Sequence, residues 1–262
     1  MGTMKSVGMK LVICGTLEEA SERAAGHVAR ALAERAAISP RITLALSGGD
    51  TPRPLYARLA SEPFRELIPW HRLHLFWGDE RCVPPDDPAS NFRMAEETLI
   101  SRVPIPAENV HKMPAELSEP GRAADLYEAE LRKFWTGTPG DWPRFDLVLL
   151  GIGADGHTAS LFPGSSVLEE TTRWVAAPYI DRLKSHRLTL TLPVFNCADE
   201  VCFLAAGNEK APIVKAVTAG DRGSSPLPAQ LIRPVSGRVT FFLDADAARL
   251  IEKRDVISTQ SA

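Results

Sequence analysis

Strand-like and helix-like patterns alternate almost throughout this chain. Short, largely apolar strand-like runs occupy 11–14, 42–46, 73–77, 147–150, 200–205 and 239–243. The run Leu147-Val148-Leu149-Leu150 has no polar break, the pattern of an interior parallel strand covered on both faces. Weaker runs predict further strands at 174–177 and 187–192. Helical stretches lie between them. Thr16 and Glu19 form a T-x-x-E capping box that opens an Ala-rich helix to about residue 37. Thr51 is a candidate N-cap with Pro52 in the first turn, where a missing N–H costs nothing. Ser90 or Asn91 caps a helix to about residue 100, 123–135 reads as another, and one more follows 207–210 to about residue 219. Repeated βα units predict an α/β fold, a mostly parallel sheet with helices on both faces. Pro- and Gly-rich connections at 84–88, 137–143 and 220–228 do not divide two compositions. The expectation is one domain over 11–257, behind a disordered lead over 1–10.

Composition narrows the partners more than the fold. With 262 residues, 44% hydrophobic and 24% charged, the chain can bury a large core. A net charge of −3 gives no electrostatic footprint for nucleic acid or anionic membrane, though local cations can still hold a small anion. No apolar run approaches the roughly 20 residues of a membrane span. The opening MGTMKSVGMK lacks the apolar core of a secretory signal. Cys14, Cys82, Cys197 and Cys202 show neither C-x-x-C nor zinc spacing, so free thiols in a reducing cytoplasm are expected.

The candidate chemistry gathers where predicted strands end in glycine. In GIGADGHTASLFPGS, Gly151, Gly153 and Gly156 allow a sharp bend that presents Asp155 and His157 side by side. A titratable pair past the carboxyl end of an interior strand lies where open α/β sheets bind ligands, and a histidine there is a general base near neutral pH. Two plainer readings compete. The glycines satisfy G-x-G-x-x-G, but Pro163-Gly164 follows soon after, and the acidic residue expected about 20 positions on at a strand end is missing. The other is a structural loop, with Asp155 a turn former and His157 merely satisfied. Ser47-Gly48-Gly49-Asp50-Thr51-Pro52 reads as a strand–turn–helix whose backbone N–H groups suit phosphate, without being a P-loop; a tight turn with a Thr cap is its bland alternative. Arg81, Arg187 and Lys210 recur at element ends beside such turns and are candidate anion contacts. The G-x-S-x-G and H-E-x-x-H signatures are absent, and His71, His74 and His111 have no metal spacing. Ser160 sits in a helix-like segment without the strained elbow of a nucleophile.

Those residues together resemble the 6-phosphogluconolactonases, within a wider superfamily that includes glucosamine-6-phosphate deaminase. The stretches LALSGGDTPRPLYARLA, LFWGDERCVPPDDPASNF, FDLVLLGIGADGHTASLFPGS, RLTLTLP and AAGNEKA match in family order, from Leu44 to Ala211. The resemblance implies Rossmann-like topology and cofactor-free, metal-free hydrolysis of a sugar-phosphate lactone. It implies His157, Asp155 and Arg81 as catalytic residues, with His157 activating water, Asp155 orienting it and Arg81 meeting phosphate or oxyanion. It implies Ser47, Gly48, Gly49, Thr51, Asp79, Arg187 and Lys210 as substrate-binding residues. Asp50 is the main departure, at a position the family leaves variable. The deaminase branch shares SGG-x-T and GIG-x-DGH but continues toward an acidic residue. Here 158–163 contains no carboxylate, which favours the lactonase. A sugar-phosphate sensor would need a helix-turn-helix partner, for which the stretch before Leu11 leaves no room. A monomer or weak homodimer is expected.

Overall fold

A computed structural model describes residues 9–136, 141–219, 225–235 and 237–251. Its strands are β1 (Met9–Cys14), β2 (Ile42–Leu46), β3 (Leu73–Trp77), β4 (Asp79–Arg81), β5 (Leu147–Leu150), β6 (Val175–Ala176), β7 (Tyr179–Ile180), β8 (Ser185–Leu190), β9 (Glu200–Ala205) and β10 (Arg238–Asp244). The apolar runs form one six-stranded sheet in the order β1-β10-β9-β5-β2-β3, every neighbouring pair parallel. All residues of β2 and β5 are buried, as strands covered on both faces must be. The helix Leu17–Ala36 packs on β1, β2, β5, β9 and β10 through Ala20, Ala24, Ala25, Val28 and Leu32, whose small side chains let it lie close. Thr16 caps it by accepting from Glu19 N at 3.2 Å, while the Glu19 carboxylate reaches Gly15 N at 2.7 Å.

The chain crosses from β1 to β2 and on to β3 in one direction, then runs β5, β9, β10 in the other. Right-handed crossovers therefore place the helices of the two halves on opposite faces. Direction reverses between the neighbours β2 and β5. Beyond their carboxyl ends lies the crevice in which open α/β sheets bind ligands.

A small antiparallel sheet, β4-β8-β6 with β7 also on β8, stands beside this crevice under the helix Pro120–Phe134. Several expectations change here. Asp79-Glu80-Arg81, read as following a strand end, is itself a strand because β8 supplies a ladder. The strand expected at 187–192 runs Ser185–Leu190, so Arg187 lies inside it rather than opening it. Leu192–Asn196 turns helical, with Pro193 in a first turn that needs no N–H. The strand expected at 174–177 shrinks to two residues, since the N–H groups of Trp174 and Val175 donate to Glu128 Oε2 at 3.0 and 3.2 Å. The segment after β5 is turns and a 3-10 turn at Ser166–Glu169, not a helix, so Ser160 is not helical. Thr51 does not cap the helix Arg53–Leu59, whose entry is closed by Arg53 N donating to Asp50 O. Residues 1–8 of the expected lead and 252–257 of the expected domain lie outside the described residues. All four cysteines are free thiols. Among the described residues no helix is long and apolar enough to cross a membrane.

Candidate active site

The loop after β5 is folded around the histidine it carries. Gly153 N donates to His157 O at 2.8 Å, Gly156 N to Gly153 O at 2.9 Å, and Thr158 Oγ1 to Gly151 O at 2.8 Å. Gly156 sits at φ 82°, which favours glycine. At Gly153 a Cβ would lie 1.9 Å from His157 Nδ1, so the imidazole lies against bare backbone. His157 Nδ1 meets Asp155 Oδ1 at 2.5 Å, and Phe162 stacks on the other side, centroids 4.4 Å apart. Partial burial pushes the Asp155 carboxyl up, but the hydrogen bond and charge of His157, its backbone N–H and Arg182 together carry it below its ordinary value. An ionised Asp155 is an acceptor only, so in the neutral imidazole the proton sits on Nδ1 and Nε2 carries the lone pair. Nε2 has no hydrogen-bond partner among the described residues, and His157 lines the cleft.

Across the crevice, the loop after β2 is pinned from beneath. Tyr56 Oη accepts from Ser47 N at 2.9 Å and donates to Ser47 O at 2.8 Å. Burial raises the Tyr56 hydroxyl far above its usual range, so it remains a donor. Gly48 is the close-approach residue, since a Cβ there would lie 1.8 Å from Asn91 Oδ1. Asp50 points out of the site, its side chain 98% exposed and paired with Arg53 at 3.1 Å. The following helix has only seven residues, so the dipole expected from it is weak. Phosphate affinity then falls to the loop N–H groups and nearby cations.

Those cations come from β4, β8 and the turn after β9. Arg81 and Arg187 face each other in register, and burial together with Arg81 lowers the pKa of Arg187. Lys210 ends the 3-10 turn Asn208–Lys210, reached through Gly207 at φ 96°. None of the three forms an ion pair with a carboxylate among the described residues. Beside them Asp79 Oδ2 accepts from Ser160 Oγ at 2.7 Å, and Asn91 Nδ2 donates to Asp79 O at 2.8 Å. Burial raises the Glu80 carboxyl, yet Glu80 accepts from the N–H groups of Arg81, Asn91 and Phe92 at 2.7–2.8 Å, tying β4 to the helix Asn91–Thr98.

Ser47, Gly48, Gly49, Thr51, Asp79, Arg81, His157 and Lys210 all line this one cleft. Asp155 lies behind His157, lining the neighbouring cavity, and Arg187 stands beside Arg81 outside the cleft lining. Asn91, Tyr56 and Arg182 were not among the residues expected here. Asn91 and Tyr56 read as helix residues, and Arg182 lies in no motif; only the folded chain brings it to Asp155. Elsewhere, His27, Glu200 and Cys202 are close enough to share a metal ion, but Glu200 accepts from His27 at 2.8 Å, Thr240 at 3.1 Å and Arg238 at 3.1 Å.

The class is that of α/β enzymes whose open parallel sheet carries an Asp–His pair at its switch point, here beside three cations that form no ion pair among the described residues. Comparison with known proteins narrows the class. The sequence pattern of the glucosamine-6-phosphate isomerases/6-phosphogluconolactonase family matches residues 15–241, and the chain belongs to that family. It is 42% identical over 207 residues to a 6-phosphogluconolactonase of Nostoc sp., covering 79% of this chain and 83% of that one. A 6-phosphogluconolactonase of Synechocystis sp. is 42% identical over 221 residues, 84% of this chain and 88% of that one. The solved 6-phosphogluconolactonase of Trypanosoma brucei superposes with a TM-score of 0.83 at 31% identity, covering 94% of this chain and 100% of that one. A monomeric glucosamine-6-phosphate deaminase, at 23% identity and a TM-score of 0.77, shares the fold.

Proposed function

We propose that this protein hydrolyses 6-phospho-D-glucono-1,5-lactone to 6-phospho-D-gluconate, in the oxidative branch of the pentose phosphate pathway. The observation that carries the reading is His157 Nε2 without a partner among the described residues, backed through Nδ1 by Asp155, in the same cleft as Arg81 and Lys210. Family membership and the identities of the relatives point the same way.

Nε2 takes a proton from the water that attacks C1, and the carbonyl electrons move onto oxygen. Arg81 and nearby backbone N–H groups meet that oxyanion. As the C1–ring-oxygen bond breaks, the imidazolium returns its proton to the departing ring oxygen, one group serving both transfers. Asp155 holds the tautomer, the part a carboxylate plays in a triad. The phosphate is anchored away from C1 by Lys210, Arg187 and the Ser47-Gly48-Gly49 loop with Thr51, which turns remote binding into orientation. Asp79, its other oxygen held by Ser160, is an acceptor for a sugar hydroxyl. The net charge of −3 supports a small-molecule substrate rather than nucleic acid or membrane, and a cytoplasmic monomer or weak homodimer completes the reading.

The test is turnover of the phosphorylated lactone by purified protein, with the spontaneous rate subtracted at each pH. Activity is expected without added metal or nucleotide and in the presence of a chelator. His157→Asn should lower kcat by about 10²–10⁴-fold. Near-wild-type turnover of that variant overturns the mechanism. Ammonia release from glucosamine 6-phosphate without lactone hydrolysis would move the chain to the deaminase branch.

A further inference from the structure

Arg182 lies in the turn Asp181–Leu183 after β7, outside every motif of the sequence, and it closes a ring of contacts around His157. Its Nη1 donates to Asp155 Oδ2 at 2.7 Å, while Asp155 Oδ1 holds His157 Nδ1. The guanidinium carbon stands 4.6 Å from the centre of the Phe162 ring, and Phe162 in turn stacks on the imidazole. Nη2 approaches His157 Nδ1 to 3.4 Å. That approach is not a productive hydrogen bond, because a guanidinium only donates and Nδ1 facing a carboxylate carries its own proton. Electrostatically it opposes Asp155: the carboxylate supports an imidazolium, and the guanidinium resists one.

We propose that Arg182 is a positioning residue that shares Asp155 with His157, fixes the imidazole plane through Phe162, and opposes at the ring the pull of Asp155 toward the protonated form. The catalytic part of this inference rests on His157 being the base of the proposed lactonase. Other charged groups face the same imidazole across the cleft, namely Lys210 after β9 and Asp79 and Arg81 on β4, with Asp181 next to Arg182 on its turn. Substitution at 182 leaves all of them in place. A carboxylate alone beside a histidine would favour the protonated form, which cannot accept a proton from water. Arg182 and Asp155 as a pair keep the orienting hydrogen bond with less of that cost.

The experiment is an NMR titration of histidine-labelled whole protein, the His157 signal being assigned by its loss in His157→Asn. In Arg182→Gln the His157 midpoint should rise by about 0.5–1 pH unit, a shift kept modest because the side chain is half-exposed to water. Arg182→Lys, which keeps the charge, should bring it back toward wild type. The acid limb of kcat should move the same way, with KM for the phosphorylated lactone changing by no more than about threefold. A midpoint that stays put or falls in Arg182→Gln overturns the proposal. A tenfold rise in KM with an unmoved midpoint overturns it too, and makes Arg182 a substrate contact on the order of one lost charged hydrogen bond. If the midpoint moves but His157→Asn keeps its turnover, the catalytic reading of His157 fails while the hold of Arg182 on the imidazole stands.

Discussion

Arg81, Arg187 and Lys210 gather positive charge and form no ion pair among the described residues, an arrangement that raises the free energy of the empty protein and lowers that of an anionic complex. Arg187 shows the cost directly, since burial and the charge of Arg81 both weaken its hold on the proton. Lys210→Ala should mainly raise KM for the phosphorylated lactone, because a charge-assisted contact of about 1.5–3 kcal/mol is lost, roughly 10- to 150-fold. Arg187→Ala should act in the same direction. Gluconolactone without the phosphate already lacks that contact, so its hydrolysis should barely respond. Steady-state kinetics on both lactones decide the matter, and equal losses would assign these residues to the reacting centre instead.

At the scale of elements, the ligand loop after β2 is only as stiff as the helix beneath it. Tyr56 hydroxyl satisfies both backbone groups of Ser47 at once, inside a fully buried environment. Tyr56→Phe leaves that N–H and C=O unpaired, at about 1–3 kcal/mol. In a domain of this size each kcal/mol lowers the melting midpoint by about 2–4 °C, so thermal unfolding should register the change clearly. KM should rise as well if the loop grips phosphate. An unchanged melting midpoint would show that water or another side chain takes over. The same scale explains what could be read in advance. β2, β3, β5, β9 and β10 announce themselves because burial on both faces makes their runs largely apolar, without a break in β5. β4 and β7 do not, being three and two residues long and paired as strands with β8. The Gly-rich loops were visible as chemistry, since glycine, Asp155 and His157 are local in sequence. Arg182 was invisible because its meaning depends on β7 and β8 folding back over the loop after β5. Thr51 misled for the opposite reason: a good capping residue stood inside a turn that the backbone closed by itself, through Arg53 N and Asp50 O.

Over the whole molecule, the amino-terminal end of the sheet is held by charge rather than by ligand. Glu200, at the start of β9, joins His27 on the long helix to Arg238 and Thr240 on β10. Burial pushes its carboxyl up, but His27, Arg238 and Thr240 outweigh that and leave it below its ordinary 4.5. A carboxyl depressed in the folded state contributes stability above its unfolded value, and that contribution disappears as pH falls through the folded value. Glu200→Gln should therefore be less stable than wild type at neutral pH, with the gap narrowing below pH 4.5. Urea midpoints at pH 7 and in acid measure it, and a gap independent of pH would mean that packing rather than charge is lost. The sheet order sets a further condition on how this molecule comes into being. Among the described residues β1 pairs with β10 alone, with Met9 opposite Val239. A ribosome adding about 5–20 residues per second releases the first strand roughly ten seconds or more before its partner exists. Through that interval Leu11, Val12 and Ile13 have no ladder partner, so aggregation is expected to be a greater hazard for the nascent chain than for the folded protein.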